Sequence, residues 1–155
     1  MRTGIGYDIH RLVSGRTLTL GGEVIPFDRG LSGHSDADVV VHAICDALLG
    51  AAGLGDIGRH FPDNDPQFKD ISSLYFLGAC RRMLADNDWT ICNVDSVIFA
   101  EAPRVAPHSD RMRQNIARTL DVDPDIVNIK ATTTEGLGAI GKGDGIAAMS
   151  IVLID

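Results

Sequence analysis

From Arg2 to His10 the chain alternates with a period of two, and the two sides of the alternation differ sharply. Thr3, Ile5, Tyr7 and Ile9 fall on one face of a strand, and Gly4, Gly6, Asp8 and His10 fall on the other. The first face is apolar and is expected to join a core. The second is cleared by two glycines and then presents two side chains of metal-ligand type. A segment with this period belongs to a sheet and cannot be an amphipathic helix.

The rest of the chain reads as an alternation of strands and helices. Thr17 to Ile25 is a hairpin turning at Gly21-Gly22. Ser35-Asp36-Ala37-Asp38 fits a capping box, so a helix is expected from Asp36, with Ser35 as N-cap, to about Ala52, where Gly53 stops it. Val40, Ile44, Ala47, Leu48 and Ala51 form its apolar face, while Asp38, His42 and Asp46 line the opposite side. A Gly/Pro/Asp-rich loop covers 53–71, and loops of that length in a compact domain are more often functional than mere spacers. A helix over 72–86, a strand over 91–100, a helix over 108–120 with Met112, Ile116 and Leu120 inward, and a strand over 126–132 follow. The last strand, 146–154, is apolar on both faces, as a strand buried in the sheet or against another subunit would be.

At 155 residues, this is one domain by size. The net charge of −7 argues against nucleic acid as a partner, and it requires a local positive source for any anionic substrate. A bound cation is the obvious one. No apolar run reaches the ~20 residues needed to span a bilayer, and no secretory leader pattern is visible, so a cytoplasmic protein with no membrane role is expected. Cys45, Cys80 and Cys92 are far apart and never in a C-x-x-C pair, which reads as reduced thiols.

Asp8, His10 and His42 are the strongest candidates for chemistry. One carboxylate and two imidazoles suit zinc and leave a tetrahedral position free for substrate. A rival set is Asp38, His42 and Asp46, whose helical spacing lets them share a metal. Asp46 is preferred as an outer acceptor that orients a ligating imidazole, and Asp38 as part of the capping box. His34-Ser35, just before a helix start, fits an anion site, although a plain N-cap explains Ser35 equally well. Asp56, Asp63 and Asp65 place three carboxylates in one loop, fit either for sugar or polyol hydroxyls or for ordinary turns. Lys130 to Gly138 ends a strand in a hydroxyl cluster, with Glu135 placed to hold a harder cation such as magnesium.

Taken in order, Arg2 to His10, Gly33 to Asp38, His42, Asp46 to Ala51, Gly55 to Gly58, Phe61-Pro62-Asp63, Ala102-Pro103 and Lys130 to Glu135 span the whole chain. In these motifs the chain resembles the 2-C-methyl-D-erythritol 2,4-cyclodiphosphate synthase family of the non-mevalonate isoprenoid pathway. The resemblance implies an α/β (α+β) protein, a mixed sheet covered by helices on one face in a chorismate-mutase-like or ferredoxin-like topology, working as a homotrimer with sites between subunits. It implies zinc on Asp8, His10 and His42, and magnesium or manganese on Glu135 with the substrate diphosphate. It gives His34 and Thr133 the support of the transition state. Substrate contacts are implied for Asp8, Ile9, His10, His34 and Ser35, and for Asp56, Ile57, Gly58, Phe61, Pro62, Asp63, Asn64 and Asp65 around the methylerythritol phosphate. Ala100, Glu101, Ala102, Pro103, Arg104, Val105 and Ala106 of a neighbouring subunit would read cytosine. Ala131, Thr132, Thr133, Thr134 and Glu135 would reach the diphosphate, and Lys142 joins the substrate contacts.

The reaction so implied is intramolecular phosphoryl transfer with release of CMP, and no serine or cysteine nucleophile is required. Family members that bind an isoprenoid diphosphate at the trimer axis use an aromatic, a basic and an acidic residue there. The matching positions here are Ala139, Lys142 and Asp144, without the aromatic. The alternative function is a non-catalytic trimeric module for metal and nucleotide. A weaker one is a zinc hydrolase, for which no free general base is evident.

Overall fold

The computed structural model describes residues 1–155. In chain order the elements are β1 (Arg2–Ser14), β2 (Leu18–Leu20), β3 (Glu23–Ile25), β4 (Arg29–Leu31), α1 (Val39–Ala52), α2 (Ile57–His60), α3 (Leu74–Ala85), β5 (Ile91–Phe99), α4 (Ser109–Leu120), β6 (Val127–Thr132), α5 (Gly138–Gly141) and β7 (Gly145–Ile154). The fold is a mixed α+β one. Five strands form a sheet in the order β4-β1-β7-β5-β6, and β2 and β3 form a separate hairpin. β7 runs antiparallel between β1 and β5, whereas β5 and β6 are parallel. No helix is long and apolar enough to cross a membrane.

The apolar face of β1 lies opposite to where its pattern placed it. Ile5, Tyr7 and Ile9 are 64 %, 50 % and 46 % exposed in the single chain. The glycine face turns inward, because α1 lies directly on it. A Cβ on Gly4 would come within 1.9 Å of the Ala47 carbonyl oxygen, and one on Gly6 within 2.0 Å of that of Ala43. The two glycines therefore do more than clear space for a ligand, since they let a helix backbone touch a strand backbone. β7 repeats the division: Ile146, Ala148, Val152 and Ile154 are buried under the helices, while Ile151 on the open face is half exposed.

α1 begins at Val39, three residues later than the capping pattern predicts, and its N-cap is Asp38 rather than Ser35. Ala37 has a left-handed φ of 57°, which no helix accommodates. The Asp38 carboxylate is fully buried and accepts from Val40 and Val41 N–H at 3.1 and 3.2 Å, and from Gly21 and Gly22 N–H at 2.9 and 2.7 Å. It caps the helix and also ties the hairpin turn to it. Sequence spacing carries no sign of that second task, which depends on a turn 16 residues upstream. The end of α1 is as expected, with Gly53 left-handed and its N–H bonded to the Gly50 carbonyl. α3 and α4 complete the helical layer with Phe76, Leu77, Cys80 and Leu84, and with Met112, Ile116 and Leu120, all buried. All three cysteines are free thiols.

Candidate metal centre and substrate cleft

β1 presents Asp8 and His10 on the face that α1 covers, and the close approach allowed by Gly4 and Gly6 carries His42 down to them. One oxygen, Asp8 Oδ2, lies 2.9 Å from His42 Nδ1 and 3.0 Å from His10 Nε2. The other, Asp8 Oδ1, accepts from Ile9 N–H at 2.8 Å, which fixes the carboxylate plane. Ligand atoms of the three residues lie within 4.8 Å of one another. The Asp38, His42, Asp46 alternative does not assemble, because Asp38 is occupied by four amide groups and Asp46 Oδ1 accepts from Ile57 N–H at 2.8 Å. Nor does Asp46 orient an imidazole as expected; it anchors α2 to α1 instead.

The donor set suits a divalent cation. His10 Nδ1 faces the Ser32 carbonyl at 2.5 Å, and a carbonyl only accepts, so the ring proton lies on that side. In the neutral ring Nε2 is then free for a cation, and a second proton there is what bonds Asp8. Burial raises the Asp8 carboxyl, but hydrogen bonds with His10 and His42, and the charge those rings can carry, outweigh it and hold Asp8 well below the usual carboxylate range. Burial lowers His10, and the bond to Asp8 more than reverses this, raising it above the ordinary imidazole value. Such a site draws a positive charge inward, and a metal displaces the proton that otherwise supplies it. Burial also raises Asp46, against the pull of the Ile57 amide.

A cleft of about 550 Å³ opens over this centre. Asp8, His10, His34, Ser35, His42, Asp46, Ile57, Gly58, Phe61, Pro62, Asp63 and Asn64 all line it. Its floor is the aromatic cluster of Phe61, Phe68 and Phe76, with ring centroids 4.8–5.6 Å apart. The 53–71 loop is thus a packed wall, tied by His34 Nε2 to the Asp65 carbonyl at 3.0 Å. Asp56 and Asp65 spend their carboxylates as caps, accepting from Arg59 and Gln67 N–H, and only Asp63 of the three expected carboxylates lines the cleft.

The family model of the YgbB family matches residues 1–155. The chain belongs to the YgbB family. It is 61 % identical over 97 % of its length to the 2-C-methyl-D-erythritol 2,4-cyclodiphosphate synthase of Desulforamulus reducens, covering 96 % of that protein. A solved 2C-methyl-D-erythritol-2,4-cyclodiphosphate synthase in a CDP-bound form superposes with a TM-score of 0.91 at 36 % identity, over 99 % of this chain and 100 % of that one. The bifunctional IspDF of Campylobacter jejuni gives a TM-score of 0.90 at 40 % identity over 99 % of this chain, which spans 42 % of that longer protein.

The remaining residues implied by the YgbB-family motifs lie outside the cleft. Ile9 points to the open face of the sheet. Ala100 to Ala106 leave β5, and Ala131 and Thr132 end β6 with Thr133 to Glu135 following, side by side because those strands are parallel. Ala100 N–H bonds the Thr132 carbonyl at 3.0 Å, and the Ala102–Pro103 peptide is cis. Glu101 has a side-chain task that the motif did not indicate. Its Oε1 accepts from Thr134 N–H at 2.8 Å, Thr134 Oγ1–H at 3.1 Å and Gly136 N–H at 3.3 Å, which shapes the loop. Those bonds hold the Glu101 carboxyl below its ordinary value. Thr133 Oγ1 donates to Glu135 Oε1 at 3.1 Å. Lys142 follows α5, away from the cleft.

Two neighbours of the metal centre escaped the sequence reading. Ser32 holds His10, and the fully buried Ser73 lies 2.9 Å from His42 Nε2. Ser73 stands at the start of α3, where a serine reads as an ordinary cap, so nothing local marks it.

Proposed function

We propose that this protein closes 4-diphosphocytidyl-2-C-methyl-D-erythritol 2-phosphate to the 2,4-cyclodiphosphate and releases CMP, as a cytoplasmic lyase of the non-mevalonate isoprenoid pathway. The observation that carries this reading is the convergence of Asp8, His10 and His42 at the base of a cleft walled by His34, Ser35 and the 57–64 segment. The relatives named as cyclodiphosphate synthases support it, covered as they are nearly end to end.

The reaction needs positioning and charge neutralisation rather than a nucleophilic side chain. An oxygen of the 2-phosphate forms a bond to the β-phosphorus, the bond from β-phosphorus to the oxygen bridging the α-phosphate breaks, and CMP departs with that oxygen. Asp8, His10 and His42 would hold zinc, which would supply Lewis acidity and a template for phosphate oxygens, and Glu135 would hold magnesium or manganese to offset the diphosphate charge. His34 and Thr133 would support the charge that grows on phosphorus-bound oxygen by redirecting protons that here go to the Asp65 carbonyl and to Glu135 Oε1. His34 Nε2 donates to the Asp65 carbonyl, which sets the ring plane and directs Nδ1 elsewhere. Phe61, Phe68 and Phe76 pack edge-on or tilted against one another as the apolar floor of the cleft.

A homotrimer of chorismate-mutase-like architecture completes the site in this reading. Cytosine contacts from Ala100 to Ala106, and diphosphate contacts from Thr132 to Glu135, lie outside the cleft of the single chain and fall to a neighbouring subunit. The exposed Ile5, Tyr7, Ile9 and Ile151 on one sheet face supply an apolar surface for association. Sedimentation at micromolar concentration is expected to return three times the chain mass, and a monomer mass would refute the trimer.

Incubating the protein with the CDP-linked substrate, zinc and magnesium tests the activity. Phosphorus NMR should show equimolar CMP and a cyclic diphosphate. Absence of CMP would sink the synthase and favour the binding module. CMP with a linear product would favour a hydrolase.

A further inference from the structure

We infer that Ser73 and Asp36 act as a positioning pair that draws the ring proton of His42 to Nε2 and so frees its Nδ1 lone pair for the metal position, an inference that rests on the proposed zinc reading. Ser73 stands at the N-cap of α3, yet its hydroxyl makes no capping bond. It sits between His42 Nε2, at 2.9 Å, and Asp36 Oδ1, to which it donates. Asp36 Oδ2 also accepts the Ser73 backbone N–H at 3.0 Å, so both polar groups of Ser73 are held by one carboxylate.

A hydroxyl has one proton, and a carboxylate accepts without donating. The Ser73 proton is therefore committed to Asp36, and what Ser73 offers His42 is an acceptor lone pair. In the metal-free protein the Asp8 carboxylate, 2.9 Å from Nδ1, competes with Ser73 for the ring proton, whereas a cation on Nδ1 would leave that proton on Nε2, where Ser73 accepts it. Ser35 Oγ lies farther from the same nitrogen, at 3.4 Å, accepts Ala37 N–H at 3.2 Å, and has Ser73 Oγ, also at 3.4 Å, as an acceptor for its own proton. Both Ser73 and the contact are closed to water: Ser73 is fully buried and the His42 side chain is 13 % exposed. No solvent molecule can take over as acceptor without rearrangement. His10 is held in the same way by a simpler device, the Ser32 carbonyl. The two rings thus reach one carboxylate oxygen with opposite nitrogens, Nε2 and Nδ1, each set by its outer partner.

The test uses metal-free protein with labelled histidine nitrogen at about pH 9, above the ordinary imidazole range, together with zinc competition against a chromophoric chelator. Wild type should show His42 shared between the Nε2–H and Nδ1–H tautomers before any metal is added, because Ser73 and Asp8 each accept from one nitrogen. Ser73→Ala should leave Asp8 as the stronger acceptor, move the population toward the Nδ1–H form and weaken zinc binding by about ten- to a hundredfold, the usual effect of losing an outer partner. Asp36→Asn can offer an N–H to the Ser73 oxygen and turn the hydroxyl proton toward His42, so it should move the population to the Nδ1–H form and weaken zinc likewise. Asp36→Asn decides the matter if Ser73→Ala fails to fold. Wild-type tautomer and zinc affinity within about twofold in the folded variants would overturn the positioning role. Wild type that binds no zinc would overturn the zinc reading instead, while the metal-free tautomer measurement still decides the Ser73 and Asp36 assignment.

Discussion

Gly6→Ala is expected to unseat α1 from the sheet. The added Cβ would stand 2.0 Å from the Ala43 carbonyl oxygen and 2.8 Å from Ala47 N, both backbone atoms of the helix. Neither can swing aside as a side chain end can, so relief demands movement of α1 by about 1 Å in an interior packed like an organic crystal. The cost should be about 3 kcal/mol or more, at the top of the range for overpacking, out of a total stability on the order of 5–15 kcal/mol. Gly6→Val should not fold. Gly50→Ala is the matched control. Gly50 is an exposed helical glycine with nothing within 4 Å of its added Cβ, and the change should gain about 0.5–1 kcal/mol. Urea midpoints measure both, and a Gly6→Ala midpoint equal to wild type would show that α1 does not rest on β1 as described.

His42→Ala is expected to abolish stoichiometric zinc and turnover together while leaving the fold intact. Only two of the three converging ligands remain after the change. Losing an outer partner costs about ten- to a hundredfold in metal affinity or activity, so losing a ligand should exceed a hundredfold. Thermal unfolding gives an independent reading. Zinc at about a thousand times its Kd stabilises by about 4 kcal/mol, which at this chain length raises Tm by about 10 °C. Wild type should show that rise and His42→Ala should not, with equal circular dichroism for the two metal-free proteins. Retention of zinc and turnover in the variant would mean that the ligand set is wrong.

Much of the secondary structure was legible because it is locally encoded. The Gly21-Gly22 hairpin, the Gly53 stop and the inward stripe of α4 each depend on a few neighbouring residues. The start of α1 was not, because the best cap is chosen by partners from elsewhere: Asp38 gains two amides from the hairpin turn, and Ala37 adopts a left-handed turn to deliver it. The same limit hid Ser73 and reassigned Asp46, whose contacts lie 31 and 11 residues away in the chain. Asp8, His10, His34, Ser35 and most of 57–64, singled out from their motifs, line one cleft, whereas Asp56 and Asp65 cap turns beside it.

The sidedness of β1 marks the boundary between the two kinds of information. The period of two established a strand and put Asp8 and His10 on one face from the residue order alone, since side chains in a strand must alternate. Which face meets the helices was decided only by tertiary packing. Apolar side chains ordinarily turn inward, yet here the glycine face does, because backbone contact between α1 and β1 excludes any Cβ and brings His42 to Asp8. Sequence by itself determined which side chains can serve a metal; the approach of a helix to a strand, possible only over two glycines, decided that they meet.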